Sequence, residues 1–125
     1  MKKGLTVFTI LAAALLFLAW TAGGASPAKN AAMEMKGTII DNNCANANKK
    51  NLAVFIKTHT KECALMPACM ATGYALYSGS MLYKFDKAST SKIADFLKLP
   101  GSKLDVVVMV KMTGKEMSLQ SIKNQ

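Results

Sequence analysis

Leu104-Asp105-Val106-Val107-Val108-Met109-Val110-Lys111-Met112 is the stretch that decides the fold. It places Leu104, Val106, Val108, Val110 and Met112 on one face at the two-residue period of a strand. Valine suits that face because its stiff β-branched side chain packs well on a pleated surface. Downstream, Thr113-Gly114 turns the chain into a last strand, Glu116 to Ile122. Upstream, Pro100-Gly101 stops a helix that begins at a capping residue, Asp86 or Ser89, and buries Ile93, Phe96 and Leu97. Further back, Tyr74-Ala75-Leu76-Tyr77, Ser78-Gly79-Ser80 and Met81 to Phe85 read as a hairpin with a short glycine turn.

The first strand runs from Met33 to Asp41, with Met35, Gly37 and Ile39 on one side and Lys36 and Thr38 on the other. Asp41-Asn42-Asn43 ends it with turn residues, which leaves Cys44 in a loop. A helical insertion follows. Leu52, Phe55, Ile56 and His59 share one face of a helix spanning Asn51 to His59. A second short helical stretch starts at Thr60, an N-cap with Cys63 at its third position, breaks or restarts at Pro67, and stops at Gly73. Five strands, a helical insertion after strand 1 and a helix between strands 3 and 4 predict a small α+β domain. Its expected form is an OB-like five-stranded, partly open barrel, or a five-stranded sheet packed on helices.

The chain begins like an exported one. Lys2 and Lys3 precede an apolar run from Leu5 to Ala19, and Ala22-Gly23-Gly24-Ala25 follows with the small residues a signal peptidase needs. Residues 1–25 are therefore expected to be a signal peptide, residues 26–32 a flexible leader, and residues 33–125 a single OB-like domain. The expected location is periplasmic or secreted. The alternative is a membrane anchor, since Gly4 to Ala22 is uncharged and close to the roughly 20 residues a membrane helix needs.

The formal net charge is +9, and +7 without Lys2 and Lys3. Every cation is a lysine, and they are scattered rather than gathered. Specific nucleic-acid recognition leans on the guanidinium fork of arginine, so no such partner is expected. A dispersed lysine surface fits weak association with an anionic envelope surface.

Chemistry concentrates in the 3 cysteines and the single histidine: Cys44, His59, Cys63 and Cys69. Three readings fit them. The first is a structural disulfide of Cys44 with Cys63 or Cys69, leaving one thiol over and His59 in the core. The second is a metal site with Cys44, His59, Cys63 and Cys69 as ligands, suited to zinc or a soft copper ion. The third is a thiol-dependent redox or hydrolytic enzyme in which Asp41 or Asn43 orients His59.

Spacing constrains all three. Cys63 and Cys69 would stand about 600° and about 9 Å apart on an unbroken helix. They approach disulfide distance only if Pro67 breaks it. No Cys-x-x-Cys, no Cys-x-x-Cys-His, no acid pair and no phosphate-binding glycine loop is present. Met66 and Met70 fit flexible core packing better than thioether ligation. The expectation is a non-enzymatic exported binding or structural domain with a Cys/His cluster. Its alternatives are an envelope interaction domain stapled by one disulfide, and the thiol enzyme.

The combination Gly37-Thr-Ile-Ile-Asp41-Asn-Asn-Cys44, His59-Thr60, Cys63, Pro67-Ala-Cys69 and Gly73-Tyr74 resembles a group of small exported bacterial proteins of uncharacterised function. The resemblance implies an OB-like fold and a cluster that belongs together. It implies no activity.

Overall fold

The computed structural model describes residues 30–125; the expected signal peptide and the first residues of the leader lie outside the described residues. Five strands, β1 (Met33–Asp41), β2 (Tyr74–Ser78), β3 (Met81–Lys84), β4 (Asp105–Thr113) and β5 (Glu116–Asn124), form one sheet in the order β3-β2-β1-β4-β5. Every neighbouring pair is antiparallel. The architecture is α+β with an unclosed, OB-like sheet. Its outer strands approach each other through the Phe85–Met117 bridge and the Asp86 N–H, which donates to the Met117 carbonyl at 2.8 Å.

β1 holds the sheet together because it serves two partners. Met33 to Thr38 pairs with β4, and Thr38 to Asp41 pairs with β2. Gly37 sits at the handover. A Cβ there would collide with the Tyr77 carbonyl oxygen and the Leu76 side chain, so glycine lets β2 close in.

A helix, α5 (Lys87–Lys98), packs on one face of the sheet. Asp86 is its cap: the carboxylate accepts the Ser89 N–H at 2.9 Å. Ser89, the other residue expected to cap, instead ties the helix to β5 by accepting the Leu119 N–H at 2.8 Å. Ile93 and Leu97 pack on Ile39, Leu76, Val106 and Val108 in the main core, while Phe96, expected beside them, is partly buried at its margin.

The helical insertion differs from the expected pair of segments. It contains α1 (Asn42–Ala47), a 3-10 turn (Lys49–Asn51), α2 (Leu52–Phe55), α3 (Lys61–Ala64) and α4 (Pro67–Ala71). The single helix expected over Asn51 to His59 stops early. Asn51 makes no side-chain cap bond, and the Thr58 hydroxyl donates to the Phe55 carbonyl at 3.0 Å, competing with helical bonding. The apolar face survives the break: Leu52, Phe55 and Ile56 pack around Ile40, Ala45 and Ala75 in a second small core. Cys44 is not in a loop. Asp41 accepts the Cys44 N–H and starts α1, so a residue read as turn chemistry acts as a helix cap. The expected break at Pro67 is present, since α3 ends at Ala64 and α4 begins at the proline.

Candidate metal centre

Each side chain of the cluster is positioned by a helix start or a strand end. Asp41 closes β1, is fully buried, and holds the Cys44 N–H on its Oδ1 at 2.8 Å. Thr60 caps α3 and accepts the Cys63 N–H at 3.2 Å. Pro67 starts α4, which buries Cys69. The Asn42 side chain donates to the Thr72 carbonyl at 2.8 Å and sews the start of α1 to the end of α4. Tyr74 donates its hydroxyl to the Ala64 carbonyl at 2.8 Å, fixing the end of α3 against the sheet. His59 ends the turn after α2, with its N–H donating to the Phe55 carbonyl at 3.0 Å and its ring 5.5 Å from the Phe55 ring.

These supports bring all four expected ligand residues together, but not as one set of four. One group is Cys44, His59 and Cys63, whose donor atoms lie within 4.8 Å of one another. A second group is Asp41, Cys44 and Cys69, within the same limit. Cys44 belongs to both. His59 and Cys63 do not meet on a continuous helix, because Thr60 is extended (φ −112°, ψ 158°) and turns the chain between them.

Asp41 is the donor that the sequence reading left out of the ligand set. From sequence, Asp41 is expected only as one of two groups, with Asn43, able to orient His59. Of those two, Asp41 takes the position, its Oδ2 lying 3.3 Å from His59 Nε2. Asn43 instead bonds through its backbone N–H to the Thr72 hydroxyl at 3.1 Å. A signal that could have found Asp41 is its place three residues before Cys44, the spacing of a helix cap from the N–H it accepts.

All three cysteines are free thiols. The staple expected between Cys44 and Cys63 or Cys69 is not formed: the Cys44 and Cys63 sulfurs stand 3.7 Å apart, against about 2.05 Å for a disulfide bond.

Electrostatics favour neutral groups here. Burial lowers the pKa of His59, and the nearby Asp41 charge offsets this only in part, so the imidazole is neutral at pH 7. Burial raises the Cys44 thiol strongly, with further upward pressure from Cys63 and Asp41. Burial, and then the Asp41 charge, push Cys69 the same way. Cys44 thus lacks the lowered pKa of an activated nucleophile.

The Asp41–His59 contact is close but misaligned. Asp41 Oδ2 and both His59 nitrogens are buried with no hydrogen-bond partner. Such orphaned atoms carry a desolvation cost of about 1–3 kcal/mol each, more when charged. A cleft of about 240 Å³ is lined by Thr38, Ile56, Lys57, His59, Leu104 and Asp105.

No protein-family model, curated protein or solved structure matches this chain. Fold and site together define a small OB-like α+β protein with Cys/His groups near enough to hold a metal ion.

Proposed function

We propose that this is an exported, non-catalytic binding protein that holds a soft or borderline metal ion, zinc(II) in the first place, through Cys44, His59 and Cys63. One observation carries the reading: two thiols and an imidazole converge within 4.8 Å, and the imidazole nitrogens lack any other partner. Thiolate and neutral imidazole are the donors zinc and copper(I) prefer. Charge separates the two. Two thiolates neutralise zinc(II), whereas copper(I) leaves a net negative charge beside the buried Asp41 carboxylate, and uncompensated charge is costly in a buried site.

Asp41 Oδ2, 3.3 Å from His59 Nε2, stands close to where the carboxylate behind a metal-bound histidine is found. The basic start and apolar run of the sequence support export, and the dispersed lysines support loose attraction to an anionic envelope surface.

Equilibrium dialysis of the reduced protein against zinc(II) tests the proposal. Zinc retained by the wild type and lost by Cys44→Ser supports it. No retention, or retention unchanged in Cys44→Ser, defeats it. The 3.7 Å sulfur separation favours a second reading, a Cys44–Cys63 staple formed in an oxidising compartment. Non-reducing peptide mapping of protein isolated without reductant distinguishes the two, because the staple removes both thiols from the metal.

A further inference from the structure

We infer that the cluster takes two metal ions, the second held by Asp41 and Cys69 and sharing the Cys44 sulfur with the first. This rests on the metal-binding reading above and extends it to a second position that the first ligand set does not use.

The geometry carries it. Asp41, Cys44 and Cys69 bring one carboxylate oxygen and two sulfurs within 4.8 Å of one another, and only Cys44 is common to the group containing His59 and Cys63. A ligating thiolate keeps further lone pairs, so one sulfur can bind two soft cations at once. The second position is the more enclosed: Asp41 is 0% and Cys69 4% exposed, whereas Cys44 and Cys63 are half-buried. Its donors are also held in place. Asp41 is fixed by the Cys44 N–H at 2.8 Å, and the Cys69 carbonyl accepts the Thr72 hydroxyl at 2.8 Å at the end of α4. Asp41 Oδ2 is buried and unpartnered, as a carboxylate oxygen awaiting a cation would be.

Charge leads to the same stoichiometry. With every thiol ligating, Asp41, Cys44, Cys63 and Cys69 together carry four negative charges. Two zinc(II) ions cancel them, and the three thiol protons leave to solvent as the ions bind. A single ion at the first position leaves the Asp41 carboxylate uncompensated in a sealed site, which is unfavourable in low dielectric.

Native mass spectrometry of the reduced protein titrated with zinc(II) counts the ions directly. The expected result is two per chain in the wild type, one in Cys69→Ser and in Cys69→Ala, and none in Cys44→Ser. Two variants at Cys69 guard against a folding defect in either, and the wild-type count stands without them. Saturation of the wild type at one ion overturns the second position and leaves the first intact. Two ions that persist in both Cys69 variants also overturn it. A wild type that binds none overturns both proposals.

Discussion

Asp41 Oδ2 lies 3.3 Å from His59 Nε2, and both side chains are sealed from solvent. The same carboxylate holds the Cys44 N–H on its other oxygen, so one residue links the end of β1, the start of α1 and the imidazole.

Asp41→Ala removes the α1 cap and leaves the Cys44 N–H without its acceptor. The expected loss is about 1–2 kcal/mol, the cost of the lost cap bond. Asp41→Asn keeps a side-chain oxygen that can cap, and is expected to cost less than the alanine variant. Urea unfolding midpoints of the three proteins check the order; an alanine variant as stable as the wild type contradicts it.

His59 makes stability depend on pH in a defined direction. Burial holds its folded pKa below 6.5, so between that value and 6.5 the unfolded chain binds more protons than the folded one. Its contribution is intact above pH 6.5 and is lost as pH falls through the folded pKa. The chain has 1 histidine, so its ring resonances report this unambiguously. A metal-free midpoint at or above 6.5 by NMR contradicts the account, and in His59→Gln the acid-side loss of stability is expected to shrink.

Tyr74 acts at the alkaline end. Burial, then the Asp41 charge, push its phenol from 10.0 to about 12. The folded state therefore keeps a proton that the unfolded state gives up, and this contribution, intact below pH 10, disappears as pH rises through about 12. Tyr74→Phe loses the bond to the Ala64 carbonyl, a cost of about 1 kcal/mol at neutral pH, and flattens the alkaline decline. Unfolding free energies across that range are the check; a variant with the wild-type alkaline slope contradicts the assignment.

Much of the frame was legible because its signals are local. The alternation from Val106 to Val110, the Asp86 cap, the Gly79 and Gly114 turns and the Pro67 break each act within a few residues, and each stands where the pattern put it. α1 was hidden because Asp41 and Asn42 favour turns and helix caps alike. The helix expected through His59 failed because the Thr58 side chain bonds back to the backbone. For the site, composition alone picked out Cys44, His59, Cys63 and Cys69. Their division into two groups around Cys44, with Asp41 in one, depends on how β1, α1, α3 and α4 pack, which no local pattern encodes.

Cobalt(II) in place of zinc(II) tests the central claim most directly, because its spectrum reports which atoms bind it. Thiolate-to-cobalt charge-transfer absorption is expected in the reduced wild type. Zinc(II) should abolish it, and Cys44→Ser, which removes the sulfur common to both groups, should lack the charge transfer. A weak, water-like octahedral spectrum in the wild type, or sulfur charge transfer that persists unchanged in Cys44→Ser, would contradict it.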